Sequence, residues 1–366
     1  MQATAAVVRD AGGPFQLEAV EVEAPRADEV LVRIVATGIC HTDVAVRNQD
    51  VTLPLPMVLG HEGSGVVEAV GSGVSHVVPG DHVVLSGDSC GHCRNCHHGL
   101  PSYCDDFVES NLTGLRRDGS SPLSQSGEPL RGRFVGQSSF ATWSVAPARS
   151  VIRVPKDLPL ELLGPLGCGL TTGAGTVLNA LNPPAGSSIV VFGVGTVGLA
   201  AVMGARLSGS EKIIAVDPNA SRLDMAGELG ATQTIEPTTQ DPVATVRQIT
   251  RGGADFSVEC SGIPAAVRNA VDCLGRPGMC AQVGATPAGA EIAFSMDHIG
   301  FGRGIKGVVM GDSAAQTFVP YLAELYSSGR LPYERFVRYY DFADINQAVH
   351  DSAVTGEVIK PILRMN

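Results

Sequence analysis

The chain has 366 residues, 44% of them apolar, and a formal net charge of -11 at pH 7. That length exceeds what one hydrophobic core usually serves, so two domains are expected. The acidic balance argues against wrapping a nucleic-acid backbone and against anchoring to an anionic membrane surface.

Read from the start, "MQATAAVVRD" carries no basic-then-apolar leader with a cleavage site. This points to a chain that is not exported and to a cytoplasmic location. Nine cysteines, an odd number in a reducing compartment, make metal ligation or catalysis a better account than disulfides. The first 160 residues read as strand-rich. "EVLVRIVATGIC" and "GSGVVEAVGSGV" alternate and carry β-branched residues, and "VVPGDHVVL" places a turn before a strand. Pro54 and Pro56 break the following segment into an irregular loop. Residues 118–131, polar and turn-rich, read as a surface loop, and "FATWSVAPARSVIRVP" as two short strands with Trp143 as a packing residue.

Within this first part, "CGHCRNCHHGLPSYC" puts Cys90, Cys93, Cys96 and Cys104 on one short loop. Disulfides suit an oxidising compartment. A closed tetrahedral zinc site suits four thiolates on a loop with little apolar material of its own. An iron–sulfur centre also takes four cysteines. His92, His97 and His98 read as solvent-facing. A second set is scattered: Cys40 in "GICHTD", His61 in "GHEG" and Cys168 in "GPLGCGLTTGAG". Each has an ordinary reading as a core or turn residue. Together, two thiolates and an imidazole would leave zinc an open fourth position.

The character changes near Leu160. "SSIVVFGVGTVGLAAVMGARLSG" reads as strand, glycine turn and helix, and "KIIAVD" and "NASRLDMAGELG" as the next strand and helix. "ADFSVECSG", "GMCAQVGA" and "KGVVMG" are later strands, with a helix after Pro264, so a parallel sheet is expected. In "GVGTVG", Gly193 permits the tight turn, Gly195 the approach of a pyrophosphate, and Gly198 close helix–sheet packing. Thr196 and Val197 lie between them, where the helix N-terminus offers N–H groups to phosphate. Asp217, ending the next strand, can accept hydrogen bonds from an adenosine ribose. Its charge repels a 2'-phosphate, which favours NAD over NADP. The alternative is that the glycines only relieve crowding and Asp217 caps a helix. Cys260, Cys273 and Cys280 read as buried structural thiols. "TFVPYLAELYSSG" reads as a helix and "VIKPILRM" as a closing strand.

"GHEGSGVVEAVGSGV" followed by "PGDHVV", the cysteine quartet, "GCG" and "GVGTVG" occur in one order along the chain. In this the chain resembles the zinc-dependent medium-chain alcohol dehydrogenases over essentially its full length. "HTDVAVRNQDVTLPLPMVLGHEGSG", "GRFVGQSSFATWSV" and "LELLGPLGCGLTTGAG" bring it nearest to the benzyl-alcohol or aryl-alcohol branch. The resemblance implies an α/β protein in which a Rossmann NAD-binding domain (170–305) joins a β-rich GroES-like catalytic domain. The catalytic domain would run over 1–169, with a structural zinc loop at 88–106 and a return segment at 306–366. It implies two zinc ions per subunit, one held by Cys40, His61 and Cys168 and one by Cys90, Cys93, Cys96 and Cys104. It implies Thr42 as the hydroxyl that passes on the substrate proton, and Asp43 and Glu62 as acids around the metal. It places Arg222 near the adenosine ribose and His41 and Lys360 near the pyrophosphate.

The reaction so implied is reversible oxidation of an aryl or allylic primary alcohol to the aldehyde, with hydride transfer to NAD. A terpene or other bulky primary alcohol is the alternative, and a homodimer or homotetramer the implied assembly. Residues 85–89, "LSGDS", would border the substrate cleft. One departure stands out. Many relatives carry a relay histidine three residues after the proton-passing hydroxyl, and this chain has Ala45 there.

Overall fold

The computed structural model describes residues 1–365; Asn366, the last residue of the expected return segment, lies outside the described residues. The chain forms two compact units. One comprises Met1–Cys168 with Ala314–Asn366, and the other Gly169–Ser313.

In the first unit, two sheets carry the fold. The five-stranded sheet is antiparallel and runs, in spatial order, Met57–Val58, Gln2–Val8, Gln16–Val22, Leu123–Gln125 and Glu128–Leu130. The seven-stranded sheet centres on Glu29–Gly38, flanked by Gly63–Val70 on one side and the C-terminal strand Lys360–Arg364 on the other. Glu29–Gly38 is buried along nearly its whole length because both its faces are covered. Val30, Val32 and Ile34 enter one apolar core, and Leu31, pointing the opposite way, enters a second. The period of two in "EVLVRIVATG" therefore feeds two cores at once. Trp143 packs on the second of these cores, as its lone aromatic character suggests.

The turn-rich stretch 118–131 is a β-hairpin and not a loop: Leu123–Gln125 pairs with Glu128–Leu130. Ser126 and Gly127 take φ of 51° and 82°, the left-handed pair that a two-residue hairpin turn requires. Strands of three residues are too short to show alternation, which is why the sequence pattern conceals them.

The second unit is a six-stranded parallel sheet. Its strands are, in chain order, Ser188–Phe192, Lys212–Val216, Gln233–Ile235, Ala254–Glu259, Leu274–Gln282 and Arg303–Gly307. Numbered so, their spatial order is 3-2-1-4-5-6, the doubly wound arrangement of dinucleotide-binding sheets. The first strand is buried at all five positions, as a central parallel strand must be when helices cover both faces. The apolar run from Ile189 to Ala205 is that strand, the glycine turn and the helix Thr196–Leu207. No helix of the described residues is long and apolar enough to cross a membrane. The last strand ends at Gly307, short of the expected "KGVVMG" span. Beyond it, Met310–Asp312 turns with Gly311 against the backbone of Thr171 and Gly175, which carries this unit on to Ser313.

Candidate active site

The site of the first unit is assembled from three places in the chain. The strand Glu29–Gly38 delivers Cys40 to the start of the helix His41–Asn48. His61 precedes the strand Gly63–Val70, and Cys168 ends the short helical turn Gly164–Gly167. One ligand atom from each of Cys40, His61 and Cys168 lies within 4.8 Å of the others.

Asp43, fully buried, holds this arrangement from behind. Its Oδ2 accepts from the Cys40 N–H at 3.0 Å, closing the first turn of the helix. Its Oδ1 accepts from the Gly60 N–H at 3.0 Å and lies 2.9 Å from His61 Nδ1. A proton on Nδ1 satisfies that contact and leaves Nε2 as the donor atom for a metal. Gln137 fixes the backbone around His61: its Nε2 donates to the His61 carbonyl and its Oε1 accepts from the Gly63 N–H, both at 3.0 Å. Phe134 meets the imidazole edge-on with ring centres 5.6 Å apart. Gln137 and Phe134 lie in "GRFVGQSSFATWSV", but nothing local in that stretch gives their role, which comes from a loop about seventy residues downstream folding back.

Glu62 and Lys360 form a buried ion pair of 2.8 Å beside the trio. Lys360 is 2% exposed, and its Nζ also donates to the Ile39 carbonyl at 2.9 Å. Burial pushes the Glu62 carboxyl up from its ordinary range, with the Lys360 ammonium drawing it back. Burial likewise works against the charge on Lys360, but Glu62 outweighs it and raises the lysine. Gly38 makes room for this pair, since a Cβ there would lie 2.1 Å from Glu62 Oε2.

The three groups of the trio shift one another's titration. A hydrogen bond from Cys168 holds the Cys40 thiol well below its usual range, against the effect of burial. The same bond, with burial, holds Cys168 well above it. Burial opposes the charged ring of His61, yet Asp43 and Cys40 outweigh it and raise the imidazole well above its ordinary value. A divalent ion competes with protons for these same three atoms, so its binding here depends on pH. Two sulfurs and one nitrogen fit zinc with a fourth position to spare.

Thr42 and His41 are exposed in the first turn of the helix. Thr42 Oγ1 lies 3.8 Å from Cys40 Sγ. Thr42 is not the cap: Cys40 holds that position and Asp43 supplies the capping oxygen. Ala45 is half-buried on the same helix. In the 85–89 segment, Ser86 is buried and its hydroxyl donates to the Gly167 carbonyl at 2.7 Å, next to Cys168.

The second cysteine group is equally well formed. The sulfurs of Cys90, Cys93, Cys96 and Cys104 all lie within 4.8 Å of one another. Cys90 and Cys96 are 3.9 Å apart, close to the edge of about 3.8 Å expected for a tetrahedron of zinc–sulfur bonds. All nine cysteines are free thiols. Backbone N–H groups aim at the sulfurs: Cys93 N at Cys90 Sγ and Cys90 N at Cys104 Sγ, each at 3.1 Å. The N–H groups of Asp105 and Cys96 lower the Cys93 thiol to about 6, while burial pushes Cys104 up to about 12. Four thiolates this close ionise together only around a cation, and the donor set fits structural zinc. His92, His97 and His98 are exposed.

In the second unit, Gly193 takes φ of 80° at the end of the first strand, and Gly195 opens the helix Thr196–Leu207 with no side-chain cap. A Cβ at Gly195 would meet nothing within 4 Å, and one at Gly198 would strike the Gly193 carbonyl at 1.9 Å. The space before Gly195 is open to a phosphate, and the backbone contact at Gly198 excludes any side chain. Thr196 and Val197, half-buried, form the first turn between them. Asp217 braces the turn: Oδ2 accepts from the Val194 N–H and Oδ1 from the Asn219 N–H, each at 2.9 Å. It does not cap the next helix, a task that falls to Asn219. Arg222 Nε is buried with no hydrogen-bond partner, an orphaned donor where an adenosine ribose is expected. Cys273 and Cys280 are buried in the core of this unit and Cys260 is half-buried, their thiols raised by burial.

Residues 26–156 match the alcohol dehydrogenase GroES-like domain, and residues 196–327 match zinc-binding dehydrogenase. The geraniol dehydrogenase of Castellaniella defragrans is 43% identical over 366 residues, 99% of this chain and 98% of that one. The chain belongs to the zinc-type medium-chain alcohol dehydrogenase family. Among solved structures of the family, the benzyl alcohol dehydrogenase of Acinetobacter calcoaceticus superposes with a TM-score of 0.97 at 44% identity, covering all of both chains. An alcohol dehydrogenase zinc-binding domain protein from Burkholderia ambifaria reaches 0.98 at 49% identity, covering 100% of this chain and 99% of that one. The architecture is the family's, with a GroES-like, largely β part and a Rossmann-like part that binds NAD. The two metal-binding clusters correspond to the catalytic and structural zinc sites of this family.

Proposed function

We propose that the chain oxidises a bulky primary alcohol, aryl or allylic, to its aldehyde, using NAD as the hydride acceptor. The observation that carries this is the Cys40–His61–Cys168 trio, three convergent donors with Asp43 bonded to two of the segments that bear them. A relative named for geraniol and another named for benzyl alcohol, at nearly equal identity, support the allylic and aryl classes alike.

The balance is one alcohol and one oxidised nicotinamide giving one aldehyde, one reduced nicotinamide and one proton. Cys40, His61 and Cys168 would hold the zinc, which would supply Lewis acidity to lower the pKa of the alcohol, and NAD would be the hydride acceptor. The protein's own residues do the rest. Asp43 keeps the His61 ring in one orientation and one tautomer. The Glu62–Lys360 pair places a balanced charge beside the trio. Thr42, exposed and close to Cys40, accepts the alcohol proton by a hydrogen bond and passes it on. Ala45 has no group to carry that proton further, so it leaves through water or through another group near the loop. The closed Cys90–Cys93–Cys96–Cys104 site holds its loop and takes no part in the chemistry.

In the second unit, Gly193, Gly195, Thr196, Val197 and Gly198 cradle the pyrophosphate, with Asp217 and Arg222 at the adenosine ribose. His41 and Lys360 are the further cofactor contacts we infer. Two sets of unpaired thiols suit a reducing, cytoplasmic location, and we infer a homodimer or homotetramer by likeness to the family.

The test is NADH formation across benzylic, allylic and saturated primary alcohols. Higher kcat/KM for benzylic and allylic alcohols supports the reading. Equal turnover of ethanol and benzyl alcohol would sink the aryl or allylic preference.

A further inference from the structure

A second concave site lies within the Rossmann-like unit and serves none of the chemistry above. It is a pocket of about 510 Å³ lined by Arg247, Arg251, Arg276 and Arg303, with Asp255 as its one carboxylate. Its floor is the close approach of Gly253 to Gly275, where a Cβ on Gly253 would lie 2.4 Å from the Gly275 nitrogen. These residues sit before or at the beginnings of the fourth, fifth and sixth strands, at Ala254, Leu274 and Arg303. The glycine turn follows the far end of the first strand, at Gly193. All the strands run parallel, so the pocket is at the opposite end of the sheet from the turn that takes a dinucleotide.

Four arginines lining one cavity in a chain of net charge -11 need an explanation. The acids nearby do not neutralise them. Asp255 Oδ2 already accepts from the Ser188 N–H and hydroxyl, at 2.8 and 2.7 Å. Asp272 is taken by Arg268 at 2.6 Å and His298 at 2.8 Å. Arg303 is buried, with Nε on the carbonyls of Leu274 and Gly275. Burial, and then repulsion from Arg247 and Arg276, lowers it below its ordinary value. Arg247 Nη2 donates to the Asp272 carbonyl, but its Nε is buried with no partner. Arg251 and Arg276 are exposed, and their guanidinium groups make no ion pair or hydrogen bond among the described residues, though that of Arg276 stacks on Phe301.

We propose that this pocket binds a small phosphate-bearing anion. Several planar forks, two from the end of the helix Pro242–Thr250 and two from the starts of the fifth and sixth strands, match a tetrahedral dianion, whose oxygens accept from several directions at once. The volume admits a phosphate with a modest organic group attached.

The experiment is calorimetric titration of the zinc-loaded protein at constant ionic strength, with NADH saturating so that the glycine turn is filled. Inorganic phosphate, pyrophosphate and AMP are the probes. The native protein takes up a single equivalent per chain. The Arg251→Ser/Arg276→Ser variant, altered only at exposed positions and checked by its melting temperature, binds at least about tenfold more weakly. Arg247→Met, made separately, shows the same loss. Tighter binding of AMP than of phosphate assigns the site to nucleotides, and the reverse order to free phosphate. No saturable binding, or equal affinity in native protein and variants, overturns the proposal. So does a change of oligomeric mass in the variants without any effect on phosphate, which would make the pocket a contact between copies of the chain.

Discussion

Asp43 is the residue on which the Cys40–His61–Cys168 trio turns, because one carboxylate joins the Cys40 amide, the Gly60 amide and the His61 ring. Asp43→Asn keeps the shape and removes the charge that raises His61. Zinc affinity at the trio and kcat/KM are each expected to fall by about 10–100-fold, read by competition with a chelator and by steady-state kinetics. Thr42→Val is expected to lower kcat by about 10²–10⁴-fold while Thr42→Ser stays near the native rate, since only a hydroxyl at that point moves a proton. Ala45→His supplies, at a position where the native chain has none, a titrating group near pH 6.5, so hydride transfer in the variant gains an inflection there. Identical pH profiles in native and variant would remove position 45 from the proton path. At this scale the sequence was informative about donor types. Cys40, His61 and Cys168 are chemically suited to zinc wherever they fall, and the fold brings their donor atoms together. The service of Gln137 and Phe134 was hidden, because a buried amide or a ring edge acquires meaning only from the backbone it meets.

Among the elements, the strand Glu29–Gly38 is anchored by a buried network at its start. Glu29, 1% exposed, accepts from Arg116 Nε and Nη2 at 2.8 and 3.0 Å and from Arg133 Nη1 at 3.0 Å. Burial raises its carboxyl, but Arg116, the Arg26 N–H and Arg133 together hold it below the ordinary value. A depressed acid stabilises the fold above its unfolded pKa, about 4.3, and loses that contribution as pH falls through the lower folded value. Glu29→Gln removes the carboxylate that both guanidiniums share, leaving Arg116 with Glu23 at 2.7 Å and Arg133 with Asp88 at 3.6 Å, and is expected to cost about 1.5–3 kcal/mol in urea unfolding at pH 7. The gap to the native protein narrows as the pH drops below about 4. An equal stability of the two at pH 7 would show that the network contributes nothing. The cysteine loop is tested separately: Cys104→Ala removes one of four donors and is expected to make residues 90–104 labile to limited proteolysis. Long periodic elements such as Glu29–Gly38 were legible from alternation alone. The hairpin at 123–130 was not, since three-residue strands carry no period and its turn depends on Ser126 adopting a left-handed conformation unusual for a side chain.

For the molecule as a whole, the change from alternating apolar residues to strand–turn–helix repeats near Leu160 announced two kinds of architecture. The structure shows a mostly antiparallel unit and a parallel one meeting in sequence at Cys168. Order along the chain was readable because glycine turns and cysteine spacings are local. The return of Ala314–Asn366 to the first unit was legible only through likeness to a family, as strand pairing between Lys360–Arg364 and Glu29–Gly38 spans most of the chain. That return brings Lys360 to Glu62 and so completes the surroundings of the trio. The most direct measurement is metal content by mass spectrometry, paired with NADH formation, in the native protein and in His61→Ala. Two zinc ions are expected per native chain, one for each cysteine-containing cluster, and one in the variant, with alcohol oxidation lost and the fold retained. A native chain that turns over alcohol with a single zinc, or a variant that keeps both metals and its activity, would contradict that expectation.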